Sequence, residues 1–453
     1  MGELDLDGVD LLIVGGGMAG LSAGASAAQQ GGRVVLVERA DELGGSAAYA
    51  GYIWTAPTID VLREVNPQGD PELCAKYVND FAPSIEWVRS LGVDCLPAVT
   101  LLGYGSGHQT DMNNLLRTCA SIIEGAPGCA IYRSTNTTEL LIEGGGVVGA
   151  LIESDDGRTG TIRARHTLLA SGGFQGDPLL RSLLISPRAL DIPLRSNPFS
   201  RGDGLRLGTS AGAAYGMANA GFYGHLIPYD VPLTDPTQFV AMSLYYSEHG
   251  LLLNTRGVRF VDETLGDHLN TMAVLDQPGA HALLIADERV RQDWMLASYV
   301  KGVEGVDRYD LVRKRGGRCA IAHDLEELLY MPEEWGYDNQ AVYDAVVGYN
   351  RQCAEGTPIP GRHFDALPLD KPPYYVVVAG PAITFTLSGL MIDAMARVLD
   401  GDARPIPGLL SAGADAGGLY YRAYAGGLAY ALVFARQAAT TAMADREVGV
   451  SAT

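Results

Sequence analysis

The stretch VDLLIVGGGMAGLSAGASAAQQGGRVVLVE, residues 9–38, decides the fold of this chain. Val9–Val14 is a continuous apolar run, which is typical of a buried parallel strand. Three glycines then predict a turn, and Ala19–Gln30 predicts a helix rich in small residues. Val34–Val37 supplies a second apolar strand. The chain therefore begins with a βαβ unit.

The glycines of this stretch match the pattern G-x-G-x-x-G. Gly15 would make the tight turn, Gly17 would let a diphosphate approach the backbone, and Gly20 would let the helix pack closely on the strand. The helix N-terminus would then face the phosphates. Glu38 ends the second strand, about where an acid hydrogen-bonds a ribose diol. The pattern predicts a dinucleotide-binding domain.

A second glycine loop indicates which dinucleotide is bound. Glu38 and Arg39 are followed closely by Gly44-Gly45-Ser46, an arrangement that resembles FAD proteins rather than NAD proteins. Near the C-terminus, a strand ends at Asp415, which could bond the ribityl chain, and Gly426-Gly427-Leu428 begins a helix that could face the flavin pyrimidine carbonyl. The predicted FAD contacts are Gly15, Gly17, Met18, Ala19, Gly20, Glu38, Arg39, Gly44, Gly45, Ser46, Ala50, Gly51, Ser171, Gly172, Gly173, Asp415, Gly426, Gly427 and Leu428.

The rest of the chain predicts an inserted second domain. Apolar strands over 140–142, 147–153 and 167–170 suggest a sheet with an antiparallel meander. From about Tyr229 to Leu367 charged residues and tryptophans become frequent, and helical periodicity appears in Asp287–Leu296 and Asn339–Cys353. Apolar strands then return over 374–378 and 409–412, and a small-residue helix follows from Gly426 to about Ala444. The predicted domains are 1–228 with 368–453, and 229–367.

Composition excludes several classes of protein. The 453 residues are 47% hydrophobic and 19% charged, so the chain can bury a core and is not intrinsically disordered. A formal net charge of −20 with no basic patch argues against nucleic acid and anionic lipid as partners. Leu11–Ala28 is apolar, but its glycines argue against a membrane span. Six cysteines lack metal-ligand spacing, so no metal site is predicted, and an acidic N-terminus without a signal sequence predicts a cytoplasmic location.

Motifs along nearly the whole chain resemble those of the fumarate reductase and succinate dehydrogenase flavoprotein superfamily. The similarity is to its soluble branch, which also holds 3-ketosteroid and tricarballylate dehydrogenases. The matching motifs are Val14–Gly20, Glu38, Gly44–Ser46, Ala170–Phe174, Gly202–Gly204, Asn254–Glu263, Ser388–Asp393 and Gly413–Asp415.

This resemblance implies an α/β fold with a Rossmann-type, glutathione-reductase-like FAD-binding domain and an inserted α+β capping domain. It also implies a small-molecule substrate held between the two over the flavin. Members of this superfamily transfer hydride across a C–C bond next to a ketone or carboxylate.

The departures from this family are informative. Asp267 stands where fumarate reductases have a proton-donating arginine, Phe385 where they have a histidine, and Tyr424 where they have a second arginine. Fumarate reduction is therefore not expected. Ser46-Ala47-Ala48 lacks the histidine to which succinate dehydrogenases attach the flavin, so FAD is predicted to be non-covalent.

Three candidate catalytic residues precede the last helix. Tyr424 matches a tyrosine that polarises the ketone in the steroid enzymes, and it could stabilise an enolate; the alternative is a packed tyrosine. Arg422 could bind a substrate carboxylate or pair with an acid of the cap. Tyr420 and Tyr421 would point to opposite sides of an extended backbone, and we expect Tyr420 to face the pocket.

Three more candidates lie in the middle of the chain. His225 matches a substrate-binding histidine of fumarate reductases, although a surface or hinge histidine is the alternative. His268 follows Asp267, the position of the missing proton donor, and the unperturbed pKa of a histidine suits acid–base catalysis at neutral pH; the alternative is a structural histidine. Tyr246, in the Tyr245-Tyr246 pair, is a further candidate that could equally be packing.

The function predicted from these features is an FAD-dependent dehydrogenase or ene-reductase. One alternative is an FAD-dependent hydroxylase or oxidase, because such enzymes share the first glycine fingerprint. Another is a non-catalytic FAD-binding protein, because the proton-transfer residues of the family have changed. The sequence leaves open the substrate, the direction of the reaction and the electron donor or acceptor.

Overall fold

The computed structural model describes residues 5–101, 104–217, 219–298 and 305–450, the last six of these by their backbone alone. The strands are β1 (Leu6–Val14), β2 (Val34–Val37), β3 (Tyr52–Thr55), β4 (Val99–Leu101), β5 (Gly105–Gln109), β6 (Ala130–Tyr132), β7 (Thr135–Glu143), β8 (Gly146–Ser154), β9 (Thr159–Leu169), β10 (Tyr215–Gly216), β11 (Phe222–Pro228), β12 (Leu251–Leu253), β13 (Ala282–Ala286), β14 (Cys319–Ala322), β15 (Tyr374–Thr386), β16 (Gly389–Leu390), β17 (Arg397–Leu399) and β18 (Pro405–Ser411). The α-helices are α1 (Met18–Gln29), α2 (Ile59–Val65), α3 (Pro71–Asn79), α4 (Phe81–Ser90), α5 (Met112–Gly125), α6 (Pro178–Leu184), α7 (Asp203–Ser210), α8 (Phe239–Met242), α9 (Asp267–Leu275), α10 (Glu288–Val290), α11 (Arg308–Lys314), α12 (Asn339–Glu355) and α13 (Gly427–Val450).

The chain forms two units, of which the first comprises Met1–Ile185, Ser196–Phe222 and Phe385–Thr453. Its central sheet has the order β17-β18-β9-β1-β2-β6, and β8 pairs with both β9 and β7. β1 runs parallel to β2 and β9, whereas β7, β8 and β9 form an antiparallel meander. The apolar run of β1 is buried because the strand lies inside the sheet. The predicted βαβ unit, meander and C-terminal helix are confirmed.

The second unit comprises Ser186–Arg195 and Tyr223–Thr384. Its sheet has the order β11-β15-β13-β12, and β14 also pairs with β15. Pairing is antiparallel from β12 to β13, from β13 to β15 and from β14 to β15. Aliphatic and aromatic side chains of this sheet and of α12 form its hydrophobic core. The helix predicted from Asn339 is α12, whereas the one predicted from Asp287 begins as α10 and continues as a π-helical turn over Arg291–Met295.

The bounds of the second unit differ from the predicted domain bounds of 229 and 367. Most of β15 belongs to the second unit, because its residues pair with β13 and β14 there. Ser186–Arg195 also belongs to it, and Leu194 forms a parallel bridge with Ile383. An apolar strand pattern does not show which sheet a strand will join, so the sequence assigned β15 to the first domain. The roles of the two units as FAD-binding and capping domains stay predictions.

Within the described ranges, none of the helices combines the length and the hydropathy needed to cross a bilayer.

Candidate flavin site and active-site residues

The two predicted glycine loops lie against each other in the first unit, beyond the carboxyl ends of β1 and β2. Gly17 forms a parallel bridge with Gly44, and the Gly44 N–H donates to the Gly16 carbonyl oxygen at 2.8 Å. At Gly15 φ is +109°, and a Cβ would lie 2.3 Å from the carbonyl oxygen of Ala170. Only glycine fits this turn, as the fingerprint predicts.

The backbone at the start of α1 is open beside Gly17 and closely packed at Gly20. A Cβ at Gly17 would meet no atom nearer than the Gly44 oxygen, at 3.9 Å, whereas a Cβ at Gly20 would lie 1.8 Å from the Gly15 oxygen. Gly20 therefore allows close packing, and Gly17 leaves the backbone open. The first N–H groups of a helix have no acceptor inside the helix. These residues fit the diphosphate of FAD.

Glu38 is held by the backbone of the first glycine loop. Its Oε2 accepts a hydrogen bond from the Gly16 N–H at 2.6 Å, and its Oε1 accepts one from the Ala40 N–H at 2.8 Å. Each carboxylate oxygen has two lone pairs, so both can still accept hydrogen bonds from ribose hydroxyls. The geometry is compatible with the predicted ribose contact.

Asp415 accepts hydrogen bonds from two other predicted FAD contacts, Ser171 and Gly173. Its Oδ1 accepts a hydrogen bond from the Gly173 N–H at 2.9 Å, and its Oδ2 accepts one from the Ser171 N–H. Gly172 and Gly173 have φ values of +100° and +76°, which glycine adopts without strain. Asp415 is buried, and this burial raises the pKa of its carboxyl group.

The other predicted FAD contacts belong to the same unit. Met18 and Ala19 open α1, Gly45 and Ser46 begin a 3₁₀ turn that ends at Tyr49, Ala50 and Gly51 lead from it to β3, and Leu428 lies in the first turn of α13. Arg39 forms an ion pair with Asp203, with 3.1 Å between Nη1 and Oδ2. The charge of Arg39 is therefore already partnered, and its predicted contact with FAD would have to come from other atoms.

Tyrosine hydroxyl groups hold the segment that leads into α13. The Tyr77 hydroxyl lies 2.5 Å from the Ala425 carbonyl oxygen and 2.8 Å from that of Gly426, between which its single proton is shared, and Tyr420 donates to the Gly426 carbonyl oxygen at 3.1 Å. Gly426 has φ +95°, and a Cβ there would lie 1.7 Å from the carbonyl oxygen of Trp54. These contacts fix the N-terminus of α13.

Tyr424 lies in an aromatic cluster directly before this helix. Its ring centroid is 5.4 Å from that of Trp54 and 5.7 Å from that of Phe385. Tyr104 donates a hydrogen bond to its carbonyl oxygen at 2.5 Å. Burial raises the pKa of Tyr424 to about 12, while a hydrogen bond with the Gly427 backbone acts in the opposite direction. The phenol therefore keeps its proton at neutral pH and can act as a hydrogen-bond donor.

The two neighbouring candidates differ from Tyr424. Tyr420 is almost fully buried, and its hydroxyl donates to the backbone of Gly426. Arg422 is exposed and has φ +62°, and its N–H donates to the Ala220 carbonyl oxygen at 2.8 Å. Tyr420 thus supports the loop, and the predicted substrate contact of Arg422 stays a prediction.

In the second unit His225 and Asp267 form a buried pair. The His225 Nδ1 lies 2.5 Å from the Asp267 Oδ2, and the Asp267 Oδ1 lies within 3.4 Å of the Leu226 N and the Ser247 Oγ. Burial raises the pKa of Asp267 to about 7 and lowers that of His225 well below its usual value. Asp267, which replaces the proton-donating arginine in the motif comparison, is therefore the hydrogen-bond partner of the candidate residue His225.

Aromatic rings flank this pair. The His225 ring centroid is 5.0 Å from that of Tyr223 and 5.1 Å from that of Tyr245, and the His268 ring is 5.3 Å from Tyr223. The structure thus brings His225 and His268 into one cluster. Tyr246 instead belongs to the hydrophobic core of the unit, so Tyr245 is the tyrosine of this pair that reaches the cluster.

Arg195 is not among the site residues predicted from the sequence. It is buried in the second unit, and its Nη2 lies 3.3 Å from the Tyr245 hydroxyl oxygen. No motif marks this arginine, because the chain brings it to Tyr245 from 50 residues away.

Comparison with known proteins finds related flavoproteins. A family model described as "FAD binding domain" matches residues 10–428. A curated "Fumarate reductase (cytochrome)" of Shewanella frigidimarina is 26% identical over 446 residues, which cover 91% of this chain and 73% of that protein. A "Vinyl phenol reductase" of Lactiplantibacillus plantarum is 27% identical over 471 residues, which cover 91% of each protein.

A solved structure shows a similar fold. The 3-ketosteroid-Δ4-(5α)-dehydrogenase of Rhodococcus jostii RHA1, solved in complex with 4-androstene-3,17-dione, superposes with a TM-score of 0.75 at 21% identity. The match covers 97% of this chain and 98% of that one. Since the family model spans most of the chain, the protein belongs to this family of FAD-binding flavoproteins, and FAD is its cofactor.

Proposed function

We propose that this protein is an FAD-dependent oxidoreductase that adds hydrogen across, or removes it from, a C–C bond conjugated to a ketone or carboxylate. FAD, when bound, would supply or accept the hydride at the β-carbon of the substrate. The observation that carries the proposal is the buried phenol of Tyr424 directly before α13 in a chain of this family. The two curated relatives reported above are reductases by name.

Tyr424 would bind the carbonyl oxygen of the substrate. Negative charge develops on this oxygen as an enolate forms, and a fixed phenol can stabilise it by donating a hydrogen bond. The raised pKa of Tyr424 keeps the hydroxyl proton in place, and the packing of its ring against Trp54 and Phe385 limits its movement. The ring would hence be positioned before the substrate binds.

The His225–Asp267 pair would move the proton at the α-carbon. The directions of the two pKa shifts favour a protonated Asp267 that donates to Nδ1 of a neutral His225, whose Nε2 then carries the imidazole proton. In the reductive direction Nε2 gives its proton to the α-carbon, and Nδ1 takes the Asp267 proton, which leaves a carboxylate. The histidine stays neutral, and desaturation is the reverse of this step.

Anaerobic photoreduction of the holoenzyme tests this function. Benzylideneacetone (an enone), cinnamate (an enoate) or oxygen is then added separately, while the flavin absorbance and the products are followed. Rapid reoxidation by the enone or the enoate, with one equivalent of the saturated product per flavin, is expected. An oxygenated product formed with oxygen would instead indicate a hydroxylase, and the absence of turnover with enones, enoates or oxygen would indicate a non-catalytic flavoprotein.

Two finer statements remain proposals alongside this one: the flavin is bound non-covalently, and the protein is cytoplasmic.

A further inference from the structure

Arg195 is a buried cation held by uncharged oxygen atoms. Its Nε lies 3.2 Å from the Phe239 carbonyl oxygen and 3.1 Å from the Ser243 Oγ. Its Nη1 lies 3.3 Å from the Thr384 Oγ1, and its Nη2 lies 3.3 Å from the Tyr245 hydroxyl oxygen. All of these partners belong to the second unit.

This arrangement leaves part of the guanidinium group unused. Of the five N–H groups of Arg195, two, one on each Nη, have no acceptor among the described residues, and no described carboxylate forms an ion pair with it. Arg195 is only 8% exposed, and a buried charge is costly unless an opposite charge accompanies it. Two parallel N–H groups of a guanidinium match the two oxygens of a carboxylate.

Arg195 belongs to the cluster that carries the proposed proton transfer. Tyr245 connects the two sites, because its hydroxyl lies 3.3 Å from Nη2 and its ring is 5.1 Å from that of His225. The positive charge of Arg195 also lowers the pKa of both His225 and Asp267. A group bound at Arg195 would thus lie in the same cluster as His225.

The simplest alternative is that Asp267 is the counter-charge of Arg195. Against this, the Asp267 Oδ2 is bonded to His225, and its Oδ1 faces the Leu226 N and the Ser247 Oγ. Burial also raises the pKa of Asp267 to about 7, so much of its negative charge is lost at neutral pH. Asp267 therefore compensates Arg195 poorly.

We propose that Arg195 binds the carboxylate of the substrate, which makes the substrate an α,β-unsaturated monocarboxylate or its saturated counterpart. The inference rests on the proposed function and selects the carboxylate over the ketone. A single carboxylate is favoured because Arg308, the other buried arginine beside Tyr245, already donates to the carbonyl oxygens of Ser243 and Met295.

Two matched pairs of probes test this assignment on the holoenzyme. Cinnamate and benzylideneacetone share the styryl group, but cinnamate carries a carboxylate where benzylideneacetone carries a methyl ketone. Their phenyl ring suits a site lined by the rings of Tyr223 and Tyr245. For Arg195→Gln, kcat/KM for cinnamate should fall about 100-fold more than kcat/KM for benzylideneacetone, because only cinnamate loses an ionic contact, whereas any effect of the lost charge on His225 and Asp267 is common to both probes. Arg195→Lys should restore part of the cinnamate activity.

Arg362→Gln is the control, since Arg362 is an arginine of the same unit whose side chain is buried and donates to the Gly250 carbonyl oxygen and the Tyr349 hydroxyl. Unlike Arg195, it has a carboxylate partner, because its Nη1 lies 3.9 Å from the Glu263 Oε2. The ratio of the two kcat/KM values should not change in this variant, even if its stability falls. An equal loss on both probes in Arg195→Gln, or a ratio that stays at the wild-type value, would overturn the proposal.

Calorimetric titration with the saturated analogues separates this inference from the proposed function. Wild-type holoenzyme should bind 3-phenylpropanoate, and Arg195→Gln should lose about 100-fold of this affinity while its affinity for 4-phenylbutan-2-one is retained. This binding result would support the carboxylate site even if no probe were turned over. The absence of turnover would count only against the proposed reaction. Equal binding of 3-phenylpropanoate by both proteins would refute the role of Arg195.

Discussion

Tyr424→Phe is the substitution that tests the proposed chemistry most directly, because it removes one hydroxyl group and keeps the ring. The ring contacts with Trp54 at 5.4 Å and Phe385 at 5.7 Å are unchanged by this substitution. The hydrogen bond from the Tyr104 hydroxyl also remains, since it ends on the backbone carbonyl of residue 424. Folding and flavin content should therefore be close to those of the parent.

The expected losses in stability and in rate differ in size. In the free protein the substitution removes a hydrogen bond with the Gly427 backbone, which contributes roughly 1 kcal/mol to the free energy of unfolding. In the reaction it removes a donor to a developing enolate, which typically lowers the rate by about 10²–10³, or roughly 3–4 kcal/mol of transition-state stabilisation. A packed tyrosine would show the opposite pattern, with a small kinetic effect.

Stopped-flow single turnover is the appropriate assay, with photoreduced enzyme mixed anaerobically with a saturating enone or enoate. Thermal unfolding of both proteins gives the change in stability. Tyr420→Phe is a matched control, since Tyr420 lies in the same cluster but its hydroxyl donates to the Gly426 backbone. A rate for Tyr424→Phe within about threefold of the parent, which is less than 1 kcal/mol of barrier, would show that Tyr424 is not the electrophile.

Four other predictions follow from the site residues. Glu38→Ala should weaken FAD retention by roughly 1–3 kcal/mol, measured by equilibrium dialysis of the apoprotein with FAD, and an unchanged affinity would remove Glu38 from the ribose site. Acid precipitation should release intact FAD into the supernatant, and flavin retained in the pellet would contradict non-covalent binding. Fumarate should be turned over at least tenfold more slowly than cinnamate, because the resemblance places Asp267 and Tyr424 where fumarate reductases have arginines; equal rates would refute this interpretation of both positions. Asp267→Asn should make the Tm more sensitive to pH. In wild type the raised pKa of Asp267 and the lowered pKa of His225 have opposite effects on stability as the pH falls, whereas in the variant only the effect of His225 remains, so its Tm should drop below about pH 6.5. Parallel curves of Tm against pH for the two proteins would argue against the pair.

The sequence predicted the parts of the fold that local pattern controls. β1, α1 and β2 occur where the glycine fingerprint and the apolar runs place them, because a turn that only glycine can adopt separates two buried strands and a helix of small residues. The meander was predicted from its apolar runs, and α13 from its small residues after Gly426. The assignment of β15 was not, since strand pairing between residues such as Leu284 and Val377 depends on contacts far apart in the chain.

The candidate site was predictable to a smaller extent. Motif comparison suggested Tyr424 and His225, whose catalytic roles stay predictions. It treated Asp267 as the loss of a proton donor, because a substitution at one position does not reveal a hydrogen bond to a residue 42 positions away. The choice of Tyr246 over Tyr245 could not be settled by periodicity within a short 3₁₀ turn. Arg195 carried no sequence signal, since its proposed role rests on burial and on the lack of a charged partner among the residues that the structure describes.

The discontinuity of the second unit affects how the protein can be engineered. Exchange of residues 223–384 with those of a relative, as a single insert, would leave Ser186–Arg195 of the original chain in place. The new insert would then lack its own counterpart of Leu194, which pairs with Ile383, and of Arg195, which bonds Thr384 and Tyr245. A functional chimaera that inherits the substrate preference of the donor therefore has to transfer both segments together.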